Sequence, residues 1–362
     1  MGQGTEDSTS IPRATAKRPK ATTAGTAGEN TGLRSMRAWW RWLGALFWNE
    51  AEGRLRAGVR VCIFFGLWGF GPALLHLLLG EWVRLLAGSR GQWLASIYLD
   101  LLRLFAVLLA ALIAARFVDF RPLPDWGFHL NRRWWLDLLF GMVLGAVLMG
   151  AIFTVEWMLG WVDVTGFWSA PAGVPFAAAI LAPVTLAVVV AVSEELLARG
   201  NQLLNFAEGF RFLRLRWSIL VAWAISSFIF GLLHVSNPNS SWLSTGYLVF
   251  YGAFLGMGYV LTGELALPIG LHFTWNFVQG SVFGFPVSGR PLYMVSVLDT
   301  RQAGPDLWTG GAFGPEAGLL GLIAGLIGIV AMVLWVRFHQ RVISFDRLAA
   351  NMAPKENAGV DV

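Results

Sequence analysis

From residue 59 onward, long apolar runs alternate with short polar interruptions, and the runs fall near 59–80, 97–118, 134–160, 176–199, 217–235, 244–262, 266–285 and 317–337. Each is about 18 residues or longer, enough for a helix to cross a hydrocarbon core of roughly 30 Å. The pattern predicts an all-α polytopic integral membrane protein with about eight transmembrane helices. Around this frame, residues 1–35 are rich in Thr, Ala, Gly, Ser and Lys without apolar periodicity and read as a disordered basic tail. No apolar h-region follows directly, so the tail is not a secretory signal. Residues 36–58, with Trp39, Trp40 and Trp42 among arginines, read as an interfacial amphipathic segment. The Gly/Pro-rich stretch 286–316 is expected to be an extramembrane loop, 317–340 the last transmembrane helix, and 341–362 a polar tail.

Composition agrees with this frame. Of 362 residues, 56% are hydrophobic and only 14% charged, against about a quarter charged in soluble domains. Mean hydropathy is +0.59. A net charge of +5 raises nucleic acid as a partner, but the basic residues sit in short loops and tails beside apolar spans. That placement follows the positive-inside bias and suits an anionic inner leaflet, so membrane lipid is expected as a partner and nucleic acid is not. With the N-terminus inside, Arg116, Arg121, Arg132, Arg133, Arg211, Arg214, Arg216, Arg337, Arg341, Arg347 and Lys355 fall on the inner side. Only Arg84, Arg90, Arg290 and Arg301 fall outside, which places both termini in the cytosol. The one cysteine, Cys62, excludes an intrachain disulfide and a cysteine-based zinc site.

Charge inside a membrane is costly and usually marks function. Three clusters stand out. In Ser193-Glu194-Glu195-Leu196-Leu197-Ala198-Arg199 two adjacent carboxylates end a long apolar run. On a helix they point about 100° apart and can take different roles. Glu195 and Arg199, four apart, are placed to form an ion pair, which leaves Glu194 facing elsewhere as a general base. The second cluster is Phe230-Gly-Leu-Leu-His234; the third is His272-Phe-Thr-Trp-Asn276, whose His and Asn share a helix face. Taken singly, the Glu pair reads equally as a helix end reaching water, and each His as a hydrogen-bonded core residue. His76, His129 and His339 lack comparable company and read as structural or interfacial. Asp100 and Arg103, three apart, are expected to neutralise each other, and Glu156 and Glu264 to reach water at span ends.

Together these residues offer a base, two imidazoles and an amide donor. That inventory suits amide hydrolysis, which needs a water deprotonated, an oxyanion stabilised and a leaving amine protonated. There is no Gly-x-Ser-x-Gly elbow and no His-Glu-x-x-His helix. A proton- or ion-relaying transporter is the rival reading, against which stands the confinement of the polar cluster to one half of the chain without repeated halves. A non-catalytic scaffold is the third.

The order Glu-Glu-x-x-x-Arg, Phe-x-x-x-His, His-x-x-x-Asn resembles the CPBP family, also called the Abi family, whose relatives include CAAX-processing endopeptidases and bacteriocin-processing or immunity proteins. The approach from Gly252 through Gly256, Tyr259 and Gly263 to Pro268 is also similar to that family. The resemblance covers roughly 175–280, within a catalytic core spanning 171–285; residues 59–170 form N-terminal transmembrane helices that resemble it only in hydropathy and in the turn from Arg121 to Gly127. It implies intramembrane proteolysis of a peptide or protein substrate, lipidated or not, in a bacterial cytoplasmic membrane. By position, Glu194 would activate water with help from His234, Glu195 would support it, Arg199 would anchor Glu195, and His272 and Asn276 would hold the oxyanion, with Phe230 as a supporting neighbour. No cofactor is required by a glutamate mechanism. A zinc ion on Glu195, His234 and His272 is the alternative, since two His and a Glu match a catalytic zinc set.

One count sets a condition on the fold. His234 lies about 26 Å along a span beginning near Trp217, at 1.5 Å per residue, whereas Glu194 and His272 fall nearer the inner face. The gap of order 10 Å closes if the fourth helix runs past Arg199 toward Glu208, or if the fifth is strongly tilted.

Overall fold

The computed structural model describes residues 39, 42, 44–50, 52–87, 91–291, 294–340 and 345–352. The expected disordered tail 1–35 and most of the polar tail 341–362 lie outside the described residues. The chain divides into a unit ending at Phe47 and a unit from Trp48 onward. In the first, residues 44–47 are helical, and the exposed rings of Trp39 and Trp42 lie 5.9 Å apart. The second opens not with more helix but with a tight hairpin, β1 (Trp48–Asn49) against β2 (Arg54–Leu55). Asn49 donates to Glu52 across its turn at 2.9 Å, and Gly53 adopts φ 61°, a left-handed conformation glycine takes without strain. The segment expected to be amphipathic over 36–58 therefore stops being helical after Phe47.

The helices of the second unit follow the apolar runs. They are α1 (Ala57–Ala87), α2 (Gln92–Ile113) with a π-helical continuation Ala114–Val118, α3 (Arg132–Met158), α4 (Phe176–Gly209), α5 (Leu215–Leu232), α6 (Trp242–Thr262), α7 (Ala266–Phe277), α8 (Leu319–Gln340) and the short α9 (Asp346–Met352). Local chemistry sets several of the ends. The Asn131 side chain accepts from the backbone of Arg133 and Trp134 to start α3, and a Ser241/Ser244 capping box starts α6. Gly263 at φ 71° closes α6. Among the described residues, seven helices (α1 to α6 and α8) are long and apolar enough to cross a membrane. The eighth expected crossing, α7, has 12 residues and continues through a π-helical stretch of five, Val278–Val282. It is buried along nearly all its length, so protein rather than lipid surrounds it. This is an integral membrane protein of all-α class. Phe70, Leu77, Trp82, Phe117, Trp157 and Phe338 are among many large apolar side chains left facing outward, as lipid contact requires.

Two departures from the helical plan matter for the site. The connection after α3 forms β3 (Val162–Ser169), which pairs antiparallel with β4 (Ser296–Gln302) from the region expected to be a plain loop. Glycines also let α3 and α7 meet backbone to backbone. A Cβ on Gly141 would collide with the carbonyl of Leu267, one on Gly270 with that of Leu138, and one on Gly145 would lie 2.7 Å from the carbonyl oxygen of Leu271. The Gly141-Met-Val-Leu-Gly145 spacing is the small-x-x-x-small pattern of close helix pairs in membranes.

The Gly209 end of α4 is fastened by a buried ionic cluster. Glu208 accepts from Arg60 at 2.8 Å, Arg54 at 3.0 Å and Arg121, while Asp119 accepts from Arg60 at 3.3 Å, Trp126 at 3.1 Å and Asn205 at 3.1 Å. Arg121 also donates to the backbone of Asn351 in α9, whose side chain donates to the Gly263 carbonyl at 3.0 Å. The β1–β2 hairpin, the loop after α2 and α9 thus converge on one glutamate.

Candidate active site

Helix α4 is the spine of the site. It is α-helical through Glu195 and π-helical from Leu196 to Leu203. A wider turn immediately after a pair of carboxylates is a common functional-site device. The helix runs on to Gly209, past Arg199 and Glu208, which puts Glu194 in the interior of a 34-residue span. This is the first of the two ways in which the depth of His234 could be matched.

The two carboxylates face different surroundings. Glu195 is fully buried: Arg199 Nη1 donates to its Oε1 at 2.9 Å, and His272 Nδ1 lies 2.9 Å from the same oxygen. Arg199 is itself buried, donates through Nη2 to the Gly252 carbonyl at 2.6 Å, and lies 4.8 Å from the Phe230 ring centre. Gly252 and Gly256 leave room for this, for a Cβ on Gly252 would strike the Ser227 backbone and one on Gly256 the Trp223 indole. Glu194 instead faces a cavity. Its Oε2 lies 3.9 Å from His234 Nε2 and 4.0 Å from His272 Nε2 and has no hydrogen-bond partner among the described residues.

Hydrogen bonding fixes how each imidazole is presented. His234 Nδ1 is 2.8 Å from the Phe230 carbonyl oxygen, which can only accept, so Nδ1 carries the proton and Nε2 points at Glu194. His272 Nδ1 meets the Arg199-paired carboxylate of Glu195, which likewise accepts, so its Nε2 also points at Glu194. Asn276, one turn along α7 from His272, borders the same cavity, and its amide makes no hydrogen bond with a described residue. Glu194, Glu195, Arg199, Phe230, His234, His272 and Asn276 are therefore gathered in one place from α4, α5 with its exit turn, and α7.

The cavity, about 440 Å³, reaches well beyond the motif residues. Trp68 of α1, Arg103 of α2, Tyr251 of α6, and Asn237, Ser288, Arg290 and Glu316 border it. The loop carrying Ser288 and Arg290 is held down at several points: Asn237 donates to the Ser288 carbonyl at 3.1 Å, Gly289 N–H to the Phe313 carbonyl at 2.7 Å, and Ser288 N–H to Glu316. Gln279 of the π-helical stretch after α7 also donates to Glu316. Burial pushes the Glu316 carboxyl up to about 7, in spite of these donors. None of these cavity residues is legible in the sequence as a site residue. The π turn after Glu195 has no sequence signal, whereas the Gly141-x-x-x-Gly145 spacing that seats α7 does.

The other buried polar groups correct three expectations. Glu156 is fully buried rather than at water, because β4 folds back and Gln302 donates to it at 2.7 Å. Glu264 is half-buried and pairs with His129 Nδ1 at 2.8 Å, so His129 does have polar company. Among the described residues no ion pair joins Asp100 and Arg103, although both border one small pocket; Arg103 also borders the cavity. As for zinc, no three His, Cys, Asp or Glu side chains among the described residues are gathered so as to hold a metal ion. Glu195 Oε1 is committed to Arg199 and His272, and His272 turns Nδ1, not Nε2, toward it. The set Glu195, His234 and His272 does not fit a metal in this arrangement.

No curated protein and no solved structure matches the chain. Residues 175–278, the stretch holding every motif residue from Glu194 to Asn276, match the family described as type II CAAX prenyl endopeptidase Rce1-like, and this part of the chain is similar to that family.

Proposed function

We propose that this protein is an intramembrane endopeptidase that hydrolyses peptide bonds of membrane-associated or lipidated substrates with a water activated by Glu194 and His234. The observation that carries the reading is the spacing of Glu194 Oε2 from the two Nε2 atoms, 3.9 Å and 4.0 Å. It is too long for a direct hydrogen bond, yet a water about 2.8 Å from both partners spans such a gap. Glu194 and His234 each accept a hydrogen bond from that water, whose oxygen lone pair then faces a carbonyl carbon in the cavity. As the C–O bond forms, Glu194 takes the water proton and the carbonyl oxygen becomes an oxyanion. Asn276 and the protonated form of His272 donate to that oxygen. Glu195, held by Arg199, orients His272 through Nδ1, as a buried carboxylate orients a catalytic histidine in hydrolases generally. Collapse breaks the C–N bond, and the proton held by Glu194 passes to the leaving amine. In this reading the carboxylate supplies the base, and each step is carried by the side chains named above.

The positive-inside distribution supports both termini lying in the cytosol. The fixed, inward-aimed cluster in a single cavity favours a protease over a transporter, which would use matching broken helices in two halves. The test is cleavage by purified protein in detergent, using a library of unlipidated and prenylated peptides, with wild type beside Glu194→Gln and His234→Ala. Cleavage by wild type that is lost in both folded variants is the expected result; cleavage that survives both overturns the assignment.

A further inference from the structure

Arg103 stands at the midpoint of α2, inside a membrane span, half-buried against the active-site cavity. It makes no ion pair or hydrogen bond with any described residue. A guanidinium within a span is costly unless a carboxylate, backbone carbonyls or water meet it. The wall that bears it is built, not loose: Trp68 of the neighbouring α1 borders the same cavity, and its Nε1 donates to the carbonyl of Ser193 at 3.0 Å, one residue before Glu194. The cavity's own acids do not serve Arg103. Glu194 faces the two imidazoles, and Glu316 is taken by the Ser288 N–H and Gln279. The second cation of the wall, Arg290, is exposed on its loop and differs in that respect.

We propose that Arg103 is the carboxylate-recognition residue of this cavity: no ion pair with a described residue occupies its guanidinium, a substrate carboxylate takes that place, and Arg103 selects peptides carrying a carboxylate, on a side chain or at the C-terminus, near the scissile bond. A planar guanidinium takes a carboxylate through two parallel hydrogen bonds, which gives orientation as well as attraction. The proposal rests on the endopeptidase reading above and adds to it the class of group that is recognised. Arg103 lies outside the family-matched residues 175–278, so this selectivity belongs to the N-terminal helices of this chain.

Binding is measured to Glu194→Gln protein in detergent, by fluorescence anisotropy of an N-terminally labelled S-farnesyl hexapeptide. Three forms are used: a free C-terminal carboxylate with Asn before the last residue, the C-terminal amide of that peptide, and the amide with Asp in place of Asn. At least one carboxylate form is expected to bind about tenfold or more tightly than the neutral amide, and which one it is tells terminus from side chain. The preference should vanish in Arg103→Gln, be partly kept in Arg103→Lys, and persist in Arg290→Gln. With Glu194 restored, Arg103→Gln should raise KM for the preferred peptide and largely spare kcat. Equal binding of all three forms, a preference that survives Arg103→Gln, or one lost in Arg290→Gln instead, overturns the proposal and leaves the endopeptidase reading standing. Failure of every peptide to bind counts against both.

Discussion

Nδ1 of His272 lies 2.9 Å from Oε1 of Glu195, across two helices far apart in sequence. Arg199 donates to the same oxygen from one turn further along the helix of Glu195. The contact dictates which nitrogen of His272 faces the cavity. Glu195→Gln should therefore lower kcat by roughly 10²-fold or more with little change in KM. Steady-state kinetics beside a thermal melt check this, because a folded variant with wild-type kcat would remove Glu195 from any part in orienting His272.

Asn276 borders the cavity with an amide that no described residue engages, and in the proposed mechanism it meets the substrate. Asn276→Ala should lose about 10²–10³ in kcat, the usual cost of removing one oxyanion donor, while the melting temperature stays close to wild type. A fall in Tm with kcat unchanged would instead make it a packing residue.

The meeting of α3 and α7 makes a sharper structural prediction. Gly141→Ala puts a methyl against the Leu267 carbonyl, whereas Gly150→Ala, on the same helix, meets nothing within 4 Å. The first should destabilise by about 1–3 kcal/mol through overpacking and displace the helix that bears His272. The second should be neutral or slightly stabilising, since Ala outranks Gly in helices. Melting temperatures in one detergent compare them directly.

Glu316 gives stability a pH dependence with a definite sign. Its carboxyl sits at about 7 in the folded protein, against an ordinary 4.5. Between those values the folded protein holds a proton that the unfolded chain releases, so stability falls as pH rises through the window, and the loss is complete above about 7. The total is about 3 kcal/mol. Denaturation followed from pH 4.5 to 8 should show this slope in wild type and a flatter one in Glu316→Gln, whatever the overall stability of the variant.

The membrane architecture was legible because lipid imposes a length and an apolar composition on every crossing. The three polar clusters were legible because charge in such a run is rare. The reach of helix α4 was harder to see: Arg199, Asn201, Gln202, Asn205 and Glu208 look like the polar exit from a membrane, yet all are buried by neighbouring helices and by the arginines that close on Glu208. The same burial hid the role of Arg121, which reads from its flank as a topogenic charge. Region 286–316 gave no sign of its partner, because β3 and β4 pair across more than a hundred intervening residues and neither has the alternation of a half-buried strand. The place of Arg103 on the cavity wall has no sequence signal. Spacing of three along a helix allows a pair with Asp100 but does not say that the same side chain also borders the cavity.

The Glu195–Arg199 contact is made four residues apart on one helix, so it can form as soon as that helix does. During biosynthesis α4 is delivered to the bilayer before α7 has been translated, and His272 is not yet there to share the carboxylate. An isolated acid or guanidinium at a helix centre costs about 2.5–3.5 kcal/mol to insert; joined, the two enter as one nearly neutral unit. The arginine that later steadies the site thus first acts as an escort, making a helix with a buried acid acceptable to the insertion machinery. Removing Arg199 should accordingly show its first effect on the yield and topology of nascent chains, before any protein exists whose activity could be assayed.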